Sequence, residues 1–496
     1  MHDQPAEPAE NDPRRESQSD IASCAAPQIA TLPLAIGSSA VLWLALPALG
    51  EQFLSYCVGL FDTYLAGKIP RVDDVPGVAT SAVGLGAYLS WLSSLLFQLV
   101  GIGTTALIAR TTGAGDVALV RRAVTVSVLL AIGLGLCISS AMYRLAPQIA
   151  TTFGLDGAAG RIVVDFLQTD AFGQFFYGFC LVGVAAMRGA GDMRTPLVLL
   201  GIVNLFNMLA SSCLVFGWLS LIPGLRELLG PWSEPLGTHG IVLGTVAARI
   251  LGGVLTLMLL FRGSGALRID LSEAKAAFQE APRILAVGGP AAMDGVVMWF
   301  GQMTFLKIVS ALQNGGPDAN RAAHLIAIEV EGLSYLSAVA WGYASASLIG
   351  RALGSGRPEE ALRAGVIASR QVAVIGAAAM LVYIFAARPI FENMTIDPAV
   401  QAVGIPAMRT LAFYQIPLVM MIVYTFSLRG AGETRVPLII NLVGVFGVRL
   451  TVGYWFGIVC NGGLIGAWIG MFCDVTVRWL LTGWYFRRGK WTTVRV

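Results

Sequence analysis

The chain has 496 residues, of which 56% are hydrophobic and only 13% charged, with a mean hydropathy of +0.71. A soluble globular protein carries about 25% charged side chains, so a large soluble enzyme, a coiled coil and a disordered scaffold are all excluded. Thirty-three basic and 30 acidic residues leave a net charge of +3, which implies no nucleic-acid partner. The seven Cys are scattered without C-x-x-C spacing, so they define neither a disulfide framework nor a metal cluster. The 58 Gly suit helices that pack closely in lipid.

Residues 1–37 are polar and lack an apolar core of signal-peptide length, and are read as a disordered cytoplasmic tail. Stretches long enough to cross ~30 Å of hydrocarbon then follow one another. The first six lie near 39–67, 81–109, 120–144, 161–186, 196–219 and 239–261, and the second six near 284–311, 323–350, 363–387, 399–427, 437–459 and 464–486. The expected fold is an all-α polytopic membrane protein with twelve transmembrane helices in two pseudo-symmetric six-helix lobes. The expected division is a first lobe over 38–262, a cytoplasmic linker over 263–282, a second lobe over 283–486 and a basic cytoplasmic tail over 487–496. With the N-terminus inside, 20 Lys and Arg fall on inner segments and 7 on outer ones, which puts both termini in the cytoplasm of a plasma (inner) membrane protein.

The two halves repeat. RGAGDMRTPL at 188–197 recurs as RGAGETRVPL at 429–438, 241 residues later. LIARTTGAG recurs as LIGRALGSG with Arg110 and Arg351 at the same offset, and Gln174 and Gln415 share it. The halves are therefore parallel repeats inserted in one direction. Beyond the fifth helix the offset falls to 222, from Gly240 and Gly244 to Gly462 and Gly466, which gives the first half 19 extra residues in an outer loop around Leu225 to Leu236.

These residues resemble the multidrug and toxic compound extrusion (MATE) transporters over about residues 40–490. The resemblance rests on LALPALGEQFLSYCVGLFDTYLAG in the first helix, the two RGAG[DE]xR loops, AAHLIAIEVEGLS opening the eighth, and WIGMFCDVTVRWLL followed by FRRGKW. It implies two lobes around a central cavity and cation-driven export of organic, often cationic, compounds. No cofactor is expected; a H+ or Na+ gradient drives transport. The expected partners are a small organic substrate, the coupling ion and the lipid bilayer, with the protein acting as a monomer.

Asp62 stands inside an apolar run near the outer end of the first helix, where an unpaired carboxylate is costly and so binds a cation or a proton. The resemblance places the essential Asp of the proton-coupled prokaryotic branch here. Asn204, Asn207 and Ser211 share one face of the fifth helix; Ser211 stands where relatives often carry a second Asp. Arg249 of the sixth helix stands roughly where relatives tend to carry a small hydroxyl residue, and is expected to pair with Asp62, to shape anion affinity, or simply to pack. Glu51 and Asp294 are repeat partners, each four residues after a Pro (Pro47, Pro290), and are read as polar groups near the lobe hinge. Glu329 and Glu331, two apart on the eighth helix, point some 200° apart, and Glu331 matches the family's acidic position. Arg449, Asp474 and Arg478 are candidate ion-pair partners in that lobe. Arg188, Gly191 and Asp192, with Arg429, Gly432 and Glu433, are read as architectural loops. The helix-seven and helix-ten acids of the sodium-using branch are absent: Met298 and Trp299 stand near the first place, and no acid falls between Tyr414 and Leu428.

Three His, no H-E-x-x-H and no G-x-x-x-x-G-K-[ST] argue against an enzyme or an ATPase. A flippase for lipid-linked saccharides would carry extra helices and a more basic cavity. A major-facilitator transporter would carry G-x-x-x-D-R-x-G-R-R after its second helix, where this chain has RTTGAGDVALVRR.

Overall fold

The computed structural model describes residues 35–69, 78–152, 157–218, 234–263 and 265–494. The polar tail before residue 35 and most of the outer loop around Leu225 to Leu236 lie outside the described residues. Eleven of the described helices are long and apolar enough to cross a membrane, and a bent pair supplies a twelfth span. The first half holds α1 (Ser38–Lys68), α2 (Val78–Ala114), α3 (Val117–Thr152), α4 (Gly157–Ala190), α5 (Arg194–Phe216) and α6 (Thr238–Arg262). The second holds α7 (Ala281–Ser310), α8 (Pro317–Gly354), α9 (Pro358–Phe385), the bent α10 (Pro398–Ala412 and Gln415–Gly430), α11 (Arg435–Val459) and α12 (Gly463–Arg487).

Sequence accounts for the irregular spans. α10 bends by 56° at its break, where Pro417 has no N–H to give the carbonyl of Phe413. Its counterpart α4 has Phe176 at the equivalent place and runs unbroken. α11 carries two π-helical turns, Val443–Arg449 and Trp455–Val459, the first ending on Arg449. The linker is ordered through short turns over Leu271–Glu280 that rest on α3, with Arg122 Nε 2.6 Å from Glu273 Oε2. Ser272 gives its amide and hydroxyl to Asp270 Oδ1, which holds that carboxyl below its usual range.

The opening helix of each half begins in the core of the other. Ile36, Val41, Ala45 and Ala48 are buried with α8, α9 and α10, whereas Leu65 and Ala66, at the far end of α1, pack with Val215 of α5 and Ile241 of α6. Ala281 and Ile284 at the start of α7 are likewise buried among α2, α3 and α4. Both crossing helices hold a proline, Pro47 and Pro290, midway between the two environments. The face of the bundle that carries both ends of the described chain, Ala35 and Val494, also carries the ends of α2 and α8. There a β-carbon on Gly113 would collide with the carbonyl of Arg351, and one on Gly354 with the carbonyl of Arg110. Two glycines related by the repeat therefore let the halves close on each other at backbone distance.

Candidate functional site

Asp62 lies one turn before Leu65 and Ala66 on α1, half-buried within the first lobe. Its Oδ1 is enclosed and has no hydrogen-bond partner, and among the described residues no Lys or Arg forms an ion pair with it. On the neighbouring α5, Asn204 Nδ2 reaches Ser55 Oγ of α1 at 3.3 Å. Asn207 Nδ2 lies 3.5 Å from Thr245 Oγ1 of α6, and Ser211 donates to Asn207 Oδ1 at 3.3 Å. The three α5 residues thus line one face, as their spacing predicts, and bind side chains of both flanking helices.

Arg249 does not pair with Asp62. Its Nη1 lies 2.6 Å from Asp170 Oδ1 on α4 and its Nη2 donates to Ser90 Oγ of α2 at 3.1 Å. The α4 surface explains the choice. Gly173 leaves room for the Arg249 stem, whose Cδ would touch a β-carbon there at 3.0 Å, and the guanidinium sits 5.1 Å from the Tyr177 ring centre. Asp170, Gly173, Gln174 and Tyr177 fall on one helical face, so an arginine laid along it meets Asp170. Gln174 Nε2 completes the cluster, donating to Asp170 Oδ2 at 2.9 Å and to Ser90 Oγ at 3.0 Å. Asp170 was missed by sequence reasoning, although an acid inside an apolar span, one turn before a repeat-conserved Gln, is the signal that could have found it.

The second lobe repeats this arrangement with different charge. Gln415 Nε2 donates to Glu331 Oε1 of α8 at 3.1 Å, and Ser334 donates to Gln415 Oε1 at 2.6 Å. Ser90 and Glu331 stand 241 apart, as do Gln174 and Gln415, so one glutamine in each lobe binds the same place on the facing helix. The first lobe has a hydroxyl there and the second a carboxylate. Glu331 is buried while Glu329 is exposed, in keeping with their two-residue spacing. Arg449 and Asp474 do not reach Glu331. Asp474 instead takes Arg449 Nη2 at 2.7 Å and Arg478 Nη2 at 2.6 Å, a pairing set by the i, i+4 spacing of Asp474 and Arg478 and by the placing of Arg449 on the π-turn of α11. Arg478 Nη1 continues to Asn441 Oδ1 at 3.1 Å, and Asn441 Nδ2 to Asp294 Oδ1 at 2.7 Å. Every member of that chain is satisfied, which is how buried charge is tolerated.

Glu51 and Asp294 both close on an arginine of a repeated loop. Arg188 pairs with Glu51, and Arg429 Nη2 lies 2.5 Å from Asp294 Oδ2. The Arg188 guanidinium also stacks 3.8 Å above the ring centre of Tyr343 on α8. Asp192 accepts from the amides of Arg194 and Thr195, each at 3.0 Å, and Glu433 from those of Arg435 and Val436 at 3.1 and 3.2 Å, so both acids hold the start of the next helix. Gly191 and Gly432 take φ of +91° and +89°, a turn that L side chains resist. Arg351 lies against Gly191 across the lobe boundary, and Arg110 Nη2 donates to Ala431 O at 2.9 Å. Each half's helix-two arginine therefore meets the other half's loop, Arg110 through a hydrogen bond and Arg351 by contact. Two open grooves, of about 470 and 410 Å3, lie beside Arg194 and Arg262 and beside Arg487 and Arg488, and neither is lined by Asp62, Asp170 or Glu331.

The comparisons with known proteins agree with this architecture. A probable multidrug resistance protein NorM of Thermotoga maritima is 31% identical over 455 residues, covering 90% of this chain and 92% of the relative. Its namesake in Burkholderia pseudomallei is 26% identical over 90% and 91%. Among solved structures, one described as the outward-facing conformation of a multidrug resistance MATE family transporter superposes with a TM-score of 0.82 at 20% identity, covering 92% of this chain and 97% of that one. Another, of MATE in the straight conformation, gives 0.79 at 19% identity over 91% and 95%; at such identities the likeness is one of fold. The MatE family model matches residues 47–211 and 290–455, one block in each half. With both halves matched and the repeat-related loops packed against each other, the chain belongs to the MatE family, the multidrug and toxic compound extrusion transporters.

Proposed function

We propose that this transporter is a proton-coupled antiporter that exports organic, often cationic, compounds by alternating access, acting as a monomer in a bacterial inner membrane with both termini cytoplasmic. Asp62 carries the reading. A carboxyl oxygen shut away from water without a partner gains most from taking up a proton or a cation, and releases it when rearrangement of the helices rewets it. The relatives named as multidrug resistance proteins support organic compounds as cargo. The missing helix-seven and helix-ten acids favour protons over sodium, because sodium needs several oxygen ligands and Asp294 is already taken by Arg429 and Asn441. Exchange of one proton for one singly charged cation moves no net charge, so the pH gradient is the driving force, worth about 1.4 kcal/mol or a tenfold substrate gradient per pH unit.

The test is efflux of ethidium from reconstituted vesicles under an imposed pH gradient and, separately, a sodium gradient. Efflux driven by the pH gradient in wild type and absent in Asp62→Asn is the expected result. Equal efflux in the two proteins, or efflux that follows sodium alone, would overturn the reading.

A further inference from the structure

Ser211 leaves α5 without a carboxylate, yet the first lobe is not short of an acid. Asp170 brings one from α4 and is 3% exposed. We propose that Asp170 is a latent second proton-exchanging carboxylate of the first-lobe site, kept out of the cycle by Arg249, so that Asp62, Asp170 and Arg249 together move one charge where two free acids would move two. The proposal rests on the Asp62 reading above.

The geometry assigns the masking. Both oxygens of Asp170 are engaged, Oδ1 by Arg249 and Oδ2 by Gln174. A guanidinium does not lose its proton in a protein, so while Arg249 stays in place Asp170 stays ionised and the pair counts as neutral. Asp62 by contrast has an enclosed, unpartnered oxygen. No other charge competes inside this part of the lobe among the described residues. Lys68 of α1, Arg144 of α3, and Arg161 and Asp165 of α4 are exposed. α2 offers Ser90, and its Arg110 is bound to the other half's loop at the termini-bearing face. Beyond Arg194 at its start α5 has no charged residue, and Glu51 of α1 is closed on Arg188. The net charge of the trio is thus −1 with Asp62 ionised and zero with Asp62 protonated. Removing the guanidinium makes it −2, and Asp170 becomes free to take a proton.

The experiment is a suppressor test using ethidium efflux from vesicles under a pH gradient. D62N falls to the rate of empty vesicles. D62N/R249Q regains pH-gradient-driven efflux, because Asp170 now exchanges the proton. D62N/R249K stays inactive, since an ammonium still masks Asp170, and D62N/R249Q/D170N is inactive again. A D62N/R249Q protein that elutes and melts as wild type does but remains inactive would overturn the proposal, as would activity that survives in the triple variant. If the double variant does not fold, R249Q alone decides: its proton-to-substrate ratio, read from the pH gradient that just balances a set ethidium gradient with the membrane potential clamped at zero, doubles under the proposal and is unchanged without it. A D62N protein as active as wild type removes the Asp62 reading itself, and the latent role of Asp170 with it.

Discussion

Arg429 and Asp294 meet at 2.5 Å in the second half where Arg188 and Glu51 meet in the first, each acid lying one turn past the proline of a helix that begins in the other half's core. A proline removes one backbone hydrogen bond and leaves a helix easy to bend at that point. The ion pair that follows it fastens the rest of the helix to its own half. The arginines come from the ends of α4 and α10, and across the boundary Arg110 bonds to the second half's loop while Arg351 packs against the first half's. Hinge, anchor and lobe contact are therefore parts of one mechanical unit, present twice.

Breaking either pair strands a buried charge. Asp294→Asn leaves Arg429 without its counter-ion and should cost about 3–5 kcal/mol. Arg429→Gln in the same protein should recover most of that loss. Thermal unfolding of the purified proteins in detergent reads both numbers; a single variant as stable as wild type would deny the pair its anchoring role.

Spans, repeat and the one-sided placing of Glu331 were legible in the sequence, because hydropathy and a constant offset fix where residues stand along the chain. They do not fix which neighbour a side chain meets. Arg249 reaches α4 because Gly173 makes room there, a fact about a facing helix that no pattern within α6 contains. The crossing of α1 and α7 into opposite cores escaped for a related reason: an offset of 241 relates residues by symmetry and is silent about contact. The break in α10 did have a signal, Pro417, which its counterpart Phe176 lacks.

The seal at the termini-bearing face should respond to a single arginine. Arg110→Ala removes the bond to Ala431 O, and a Cys placed at Ser347, which contacts Gly189 O at 3.4 Å, reports the opening. In the R110A background the Ser347→Cys thiol should react several-fold faster with a membrane-impermeant maleimide than in wild type. Equal rates would mean that backbone packing at Gly113 and Gly354 closes this face unaided.

The two acids of α8 should separate cleanly. Glu329 is exposed, and Tyr56 Oη of α1 donates to its backbone carbonyl at 3.1 Å, a bond that Glu329→Gln keeps, so that variant should leave ethidium efflux within about twofold of wild type. Glu331→Gln puts an amide opposite the Gln415 amide and removes the buried carboxylate of the second lobe. Its efflux should fall much further, and a parallel loss of binding, measured by fluorescence titration with ethidium, would assign Glu331 to substrate rather than to packing.

His324 provides the control for any pH dependence. It is 1% exposed on α8, accepts from Trp468 Nε1 of α12 at 3.2 Å, and packs edge-on against that indole and beside Phe305. The role this geometry assigns is to satisfy a buried indole donor. His324→Leu should leave that N–H unpaired and cost about 1–3 kcal/mol, while His324→Asn, which keeps an acceptor, should cost less. Neither should move the pH profile of efflux, because the carboxyl proposed to exchange the proton is on α1 in the other lobe. A profile that shifted in both variants, with stability intact in the Asn protein, would transfer part of the proton chemistry from Asp62 to this histidine.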